Sequence, residues 1–480
     1  MNKKAFYITT TLPYVNAPLH VGHALEFVRT DAIARYKTLE GYDVFFNTGT
    51  DEHGQKIFGK AQEKGIDPQA FVDENFLGFR QQVESFGISP DVHFVRTTDT
   101  HHISAAQEFW KRVYDRGYIY KKNYQAKYCV GCEEVKTDSD LVNGECPLHP
   151  GTVLELIDEE NYFFKLSSLQ KELLDFYASR PDFVVPEFRF NEVKAFVERG
   201  LEDFSISRLK SKMSWGVPVP GDDEHVMYVW FDALTNYIST LGWPENIEQF
   251  EAYWAQGTPT QYCGKDNTRF QALTWQAMLI AAGIPNSHQI VVNGHITGDK
   301  GIRMSKTLGN VVDPLALATE YGVDSLRFFL LKEVSSFEDS PFTIERFREG
   351  YQAHLANGIG NLTSRIMTLS ETHCEGFDEL PHVEHPEVIK KAIEGFDIQK
   401  AMNHIWDTIG EIDQKIQLTK PFSVVKEDKD AGVALIRDLV SDLYGVAVSL
   451  APFMPTTSEA IIECIRDNKK PVTPLFMRLE

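Results

Sequence analysis

The 480-residue chain predicts an α/β fold, a parallel-sheet domain interrupted by an insertion and followed by an α-helical bundle. Three observations carry this. From the N-terminus to about Asp115, short apolar runs alternate with helix-patterned stretches, as in a parallel α/β unit. A turn-rich, cysteine-bearing segment, YCVGCEEVKTDSDLVNGECPLHPGT, then breaks the alternation. From about Ile344 onward, apolar residues recur at helical spacing almost throughout.

The elements follow in order. AFYIT, at Ala5–Thr9, reads as a strand. HALEFVRTDAIARYKTLEG reads as a helix stopped by Gly41, and DVFFNTG, starting at Asp43, as the next strand. Apolar runs resume in EHVMYVWFDALTNYI, and HQIVVNGHI predicts a further buried strand. Helical periodicity then dominates REGYQAHLANGIGNLTSRIMTLSET and AGVALIRDLVSDLYGVAVSLAPFM. The sequence contains neither internal repeats nor a low-complexity tract.

Hydrophobic residues make up 42% and charged residues 24%, ordinary for a soluble globular protein. No stretch approaches the ~18 apolar residues of a membrane span. The start, MNKKAFYITTTLPY, lacks the apolar core of a signal peptide. Three of the six cysteines cluster with a histidine, which argues against a disulfide scaffold. The expectation is a cytoplasmic protein. Its net charge is -21, and residues 351–480 carry 13 Lys+Arg against 20 Asp+Glu. Phosphate recognition needs a local basic surface and not a basic total, so charge leaves a nucleic-acid partner open.

Two segments suggest nucleotide chemistry. In NAPLHVGHALEF, His20, Gly22 and His23 sit where a helix begins. Unpaired N–H groups and the dipole there suit phosphate, and the two imidazoles are placed to donate to it from opposite sides. Far downstream, GDKGIRMSKTLGNVVDP sets Arg303 and Lys306 around Ser305 in a flexible loop. GQKIFGK, from Gly54 to Lys60, has P-loop spacing but continues with Ala61 in place of the magnesium-holding Ser or Thr. It reads as a helix, and a G-x-G-x-x-G fingerprint is absent as well. Cys129-x2-Cys132 and Cys146-x2-His149 have the spacing of a tetrahedral Cys₃His zinc knuckle.

The HVGH and RMSKT segments resemble the two signatures of class I aminoacyl-tRNA synthetases. TTLPYVNAPLHVGHA, NTGTDEHGQKI, YVWFDALTNYI, YCGKD and YGVDSLRFFLL resemble the methionyl family over nearly the whole chain. The resemblance implies a Rossmann-like catalytic domain split between residues 1–116 and 226–343. On that resemblance residues 117–225 would form a connective insertion with a zinc knuckle, and residues 344–480 a helical anticodon-binding domain. The insertion looks too short for the hydrolytic editing domain of leucyl, isoleucyl and valyl relatives.

It implies a ligase that joins L-methionine to ATP as methionyl-adenylate and passes it to tRNA(Met) for elongation and initiation. His20, His23 and Lys306 would be catalytic, and Gly22, Arg303 and Ser305 would join them in binding ATP with Mg²⁺. Leu12, Tyr14, Asp51, Trp230, Ala233, Tyr237, Asp266 and Gln271 would surround methionine. Asn267 and Gln271 depart from the isoleucine and histidine usual in the family and make that wall more polar. One structural Zn²⁺ per chain would sit on Cys129, Cys132, Cys146 and His149. Asn361, Arg365 and Phe422, the last in place of a usual tryptophan, would read the anticodon. The chain lacks the extra C-terminal domain that some relatives use to dimerise, so a monomer is expected, without membrane contact. The alternatives are another class I synthetase, such as a cysteinyl enzyme, or a non-catalytic tRNA-binding protein of the same fold.

Overall fold

In β1 (Ala5–Thr9) every side chain after Ala5 is buried, as suits a strand covered on both faces. β2 (Asp43–Thr50) pairs with it in parallel, Tyr7 opposite Phe45 and Ile8 opposite Phe46. Parallel neighbours need a crossover, and the helix Val21–Leu39 lies in the chain between them. β3 (His93–Arg96) extends the sheet beyond β2. The chain then leaves for β4 (Ile119–Cys129), β5 (Glu134–Lys136) and β6 (Glu155–Phe164), returns briefly as β7 (Val184–Val185), and passes through β8 (Phe204–Ser205). β9 (Ser207–Leu209) and β10 (His225–Met227) form a small ribbon before β11 (Pro259–Gly264) and β12 (Gln289–Asn293) complete the large sheet. The structure, a computed structural model, describes residues 3–136, 140–301, 304, 312–376 and 380–479.

The large sheet has the order β3-β2-β1-β11-β12-β7. β1 therefore has the strands that follow it on one side and the returning strands on the other. β11 runs parallel to β1, and β7 parallel to β12. β7, two residues contributed by the insertion, is an edge the sequence pattern did not predict. The insertion builds an antiparallel sheet, β5-β4-β6-β8, whose long pair runs from Ile119 opposite Phe164 to Tyr128 opposite Glu155. Its cysteine-bearing turn connects these strands.

The chain divides into two compact units. The first holds residues 1–18, 42–81 and 90–292, with both sheets. Its core is strongly aromatic: Phe109 stacks on Trp275 at 5.6 Å, and Trp110 meets Phe231 edge-on at 5.3 Å. The second holds residues 19–41, 82–89 and 293–480. Within it, helices Asn361–His373, Ile398–Thr419, Lys429–Leu450 and Pro455–Arg466 follow the expected periodicity. Helix Val21–Leu39 is fastened there by buried charge. Arg327 reaches Asp31 at 2.8 Å and donates to the Phe453 carbonyl at 2.7 Å. Arg29 donates to the carbonyls of Val334, Ser335 and Ser336 at 2.8–3.0 Å. Buried charges of this kind lose hydration on folding, so they are weak evidence of added net stability. Among the described residues no helix is long and apolar enough to cross a membrane.

Candidate active site

In open α/β sheets ligands bind outside the carboxyl ends of the strands where the order reverses, here between β1 and β11. The chain leaves β1 through Leu12 and Tyr14, β2 through Asp51 and His53, and β11 through Asp266 and Gln271. Tyr14 and Asp51 form a parallel bridge, with the Asp51 N–H donating to the Pro13 carbonyl at 3.0 Å.

Three buried acids gather around this point. Burial pushes the Asp51 carboxyl well above the usual carboxylate range, and the charges of Asp232 and Glu133 push it further. Burial opposes ionisation of Asp232 too, but there two imidazoles win. His53 Nδ1 lies 2.6 Å and His102 Nε2 2.8 Å from its oxygens, holding Asp232 below the usual range. His102 Nδ1 is in turn 2.8 Å from Ser239 Oγ. Asp232 lies in the short helix Val229–Ala233, so this pairing fixes the segment that carries Trp230 and Ala233.

Glu133 comes from the cysteine-bearing turn. It accepts the Tyr14 hydroxyl, and the Lys56 N–H at 3.0 Å. Burial and the Glu133 charge raise the Tyr14 pKa well above its usual value, keeping the phenol protonated as the donor. Gly54, at φ 95°, leaves room for this carboxylate, because a Cβ there would stand 2.9 Å from Glu133 Oε1. The P-loop-like stretch is indeed a helix, Gln55–Lys64.

The helix that carries Asp232 also carries an aromatic ring. Trp230 stacks on Phe270 at 3.8 Å, its planes within 7°, and its buried Nε1 has no hydrogen-bond partner among the described residues. Ala233 and Tyr237 are buried beside it in sequence. Gln271 does not present a loose polar group. Its amide donates to the Tyr237 hydroxyl and accepts from Gln261, which accepts from Ser287. Gln276 closes the chain, donating to Ser287 Oγ at 3.0 Å and to the Gln271 carbonyl at 2.9 Å. Asn267 is half-buried and Asp266 exposed.

In the second unit, His20 caps helix Val21–Leu39. The Gly22 N–H donates to His20 Nδ1 at 3.1 Å, and the His20 N–H to His23 Nδ1 at 3.3 Å. The imidazoles do not flank the entrance from opposite sides as expected. They stack face to face, 3.8 Å apart, because both Nδ1 atoms serve backbone donors. Gly22 makes this possible, since a Cβ would stand 3.0 Å from His20 Cε1. An accepting Nδ1 is unprotonated, which assigns the proton, and so the donor, to Nε2 of each ring. Arg303, Ser305 and Lys306 lie outside the described residues.

Cys129, Cys132, Cys146 and His149 bring their ligand atoms within 4.8 Å of one another. Cys132 Sγ is 3.5 Å from Cys146 Sγ and 3.3 Å from His149 Nδ1. A tetrahedral ion with metal–sulfur bonds of about 2.3 Å needs sulfurs about 3.8 Å apart, so the set can hold a metal ion. The turn is shaped for it: at Gly131 a Cβ would stand 2.5 Å from the His149 ring.

Asn361 and Arg365 share helix Asn361–His373, and Arg365 pairs with Asp413 of helix Ile398–Thr419. Phe422 is 45% exposed, unusual for its size. Sequence reasoning passed over Glu133, His53, His102, Asp232 and Gln261. Their signal was faint, three of them standing beside residues it did select.

A split parallel sheet with a histidine-capped helix after its first strand is the frame of a class I synthetase. A family model described as "tRNA synthetases class I (M)" matches residues 6–152 and 148–367. The methionine--tRNA ligase of Caldanaerobacter subterraneus subsp. tengcongensis is 39% identical over 96% of this chain and 74% of its own. That of Clostridium acetobutylicum is 40% identical over 96% and 73%. A structure of Mycobacterium tuberculosis methionyl-tRNA synthetase in complex with methionyl-adenylate superposes with a TM-score of 0.90, at 35% identity over 99% of this chain and 100% of that one. The chain belongs to the methionine--tRNA ligase family.

Proposed function

We propose that the chain activates L-methionine with ATP to methionyl-adenylate and transfers the methionyl group to tRNA(Met). The observation that carries this reading is the buried acid cluster Asp51–Glu133–Asp232 beside Tyr14 and Trp230. An Asp51 carboxyl pushed up by burial and by like charges favours a cation at its side, and the α-ammonium of an amino acid supplies one. Leu12, Tyr14, Trp230, Ala233 and Tyr237 receive the thioether, whose polarisable sulfur gains from aromatic edges. Asp266 and Gln271 complete that wall.

The methionine carboxylate is already ionised at pH 7. Its oxygen attacks the α-phosphorus, the bond to pyrophosphate breaks, and no general base is needed. The step demands alignment and charge stabilisation. His20 and His23 donate through Nε2 to phosphate oxygens at the helix N-terminus, with Gly22 keeping the entrance narrow. Lys306, with Arg303 and Ser305, follows the β- and γ-phosphates, whose charge Mg²⁺ bound with ATP would offset. A hydroxyl of the terminal tRNA adenosine then attacks the methionyl carbonyl and AMP leaves.

Cys129, Cys132, Cys146 and His149 hold a structural Zn²⁺, which keeps Glu133 aimed inward. Asn361, Arg365 and Phe422 read the anticodon by edge contacts and stacking. Residues 1–116 and 226–343 are the catalytic halves, 117–225 the connective insertion and 344–480 the anticodon-binding domain, in a cytoplasmic monomer. The test is ATP–pyrophosphate exchange against all twenty amino acids. Methionine alone should drive it. Exchange with another amino acid would overturn the methionine assignment, and silence with tRNA added would leave a non-catalytic tRNA-binding protein.

A further inference from the structure

In the methionine site proposed above, Asp51 meets the ammonium, and the α-carboxylate has no partner. The buried acids Asp51, Glu133 and Asp232 repel that group, and the low dielectric around them strengthens the repulsion. A zwitterion settles beside such a cluster only if a cation stands ready for its carboxylate. Arg208 borders the cluster, lying over the ring of Tyr228, whose hydroxyl donates to the Glu133 carbonyl at 2.7 Å. It is already engaged, donating to Ser205 Oγ at 3.1 Å and to the Ser207 carbonyl at 2.7 Å.

Lys56 is not engaged in this way. Its Nζ stands over the Tyr14 ring, 4.8 Å from the centroid, and has no ion-pair or hydrogen-bond partner among the described residues. The residue is half-buried, so its charge is partly stripped of water, and the ring face returns only some of that loss. Its backbone is anchored. The Lys56 N–H donates to Glu133 Oε1 at 3.0 Å, and the Gln55 amide before it donates to both oxygens of Glu155 at 3.0–3.1 Å. Glu133 also accepts the Tyr14 hydroxyl, so the carboxylate that fixes the ring fixes the start of the lysine's helix. Lys56, Tyr14, Asp51 and Glu133 all belong to the first unit. Lys56 lies in GQKIFGK, the stretch whose P-loop spacing had found no use.

We propose that the Lys56 ammonium binds the α-carboxylate of methionine, completing a two-point grip on the amino-acid head whose other point is Asp51. The inference rests on the reading of the chain as a methionine-activating enzyme and adds the partner of the carboxylate. Forming the adenylate spends the carboxylate's charge, so this ion pair is stronger before the reaction than in its transition state. Its loss should therefore raise the methionine KM by more than it lowers kcat.

Methioninol separates the roles, because it keeps the ammonium and the thioether and lacks the carboxylate. Binding of methionine and of methioninol to the full chain is measured by calorimetry. Lys56→Gln should weaken methionine about 10- to 100-fold, the range for a hydrogen bond between charged groups, and leave methioninol within about twofold. Lys56→Arg should retain most of the methionine affinity. In ATP–pyrophosphate exchange, Lys56→Gln should raise the methionine KM and leave the ATP KM within about twofold. Equal weakening of methionine and methioninol overturns the proposal, since the lysine would then support the shape of the pocket. So does an unchanged methionine affinity, or a rise confined to the ATP KM, which would assign Lys56 to phosphate. A parent that neither binds methionine nor supports exchange would sink the functional reading and this proposal with it. In a parent that does both, the Lys56 variants alone decide.

Discussion

Tyr14 donates its hydroxyl to Glu133, a residue that directly follows Cys132 of the four-ligand turn. Metal turn and candidate pocket are thus joined by one peptide bond and one hydrogen bond. A hydrogen bond to a charged group contributes about 1.5–3 kcal/mol. Glu133→Ala should therefore raise the methionine KM of exchange about 10- to 100-fold while the ATP KM stays within twofold. Glu133→Gln, which keeps an acceptor, should fall between. Equal effects on both KM values would show that Glu133 supports the fold at large.

Gly131 gives a sharper test of the metal turn. A Cβ there would stand 2.5–2.8 Å from three atoms of the His149 ring, so Gly131→Ala must displace a ligand. At Gly144, φ is 81° but nothing lies within 4 Å of the added Cβ, so Gly144→Ala costs only backbone strain, about 1 kcal/mol. Elemental analysis should find about one zinc per chain in the parent and in Gly144→Ala, and much less in Gly131→Ala. Full zinc in both variants would separate His149 from the metal.

Asp51 should trade stability for binding. Its folded-state pKa is raised, so its contribution to stability is fully present below the unfolded value of about 3.9 and lost as pH rises through the folded value. Asparagine imitates the protonated form at every pH. Asp51→Asn should then melt higher than the parent at pH 8, with the gap closing toward pH 4, and should no longer bind methionine. A gap that stayed constant with pH, read by thermal melts in paired buffers, would remove the carboxylate's charge from the account.

Much of this was legible because its signals are local. AFYIT became β1 at the expected residues, and the C-x2-C and C-x2-H pairs lie close enough in sequence to announce a turn that can hold a metal ion. The helix expected from His23 starts at Val21, because a histidine is an uncommon cap and its two nitrogen bonds are not written in the residue pattern. What stayed hidden is made by distant partners. Glu133 meets Tyr14 across 119 residues, His102 meets Asp232 across 130, and β7 is two valines that become a strand only through β12. Arg303, Ser305 and Lys306 of the RMSKT segment lie outside the described residues.

Gln271 shows how a residue's setting can escape the sequence. From sequence it makes the pocket wall more polar, yet in the fold both ends of its amide are engaged, by Tyr237 and by Gln261. Gln271, Gln261 and Tyr237 are 1–2% exposed, so removing the amide takes a hydrogen bond from each of two buried side chains. Such a loss at a buried group costs about 1–3 kcal/mol, and Gln271→Leu should lower unfolding free energy by about 2–5 kcal/mol in urea titration. Gln271→Glu keeps the shape but, when ionised, its oxygens can only accept. It loses the bond to Tyr237 unless that hydroxyl turns to donate, which would free the ring's hydroxyl from its present role as acceptor. The methionine KM should therefore rise in both variants, with the larger loss of stability in the leucine form. If Gln271→Leu were as stable as the parent, the network from Ser287 to Tyr237 would be packing alone.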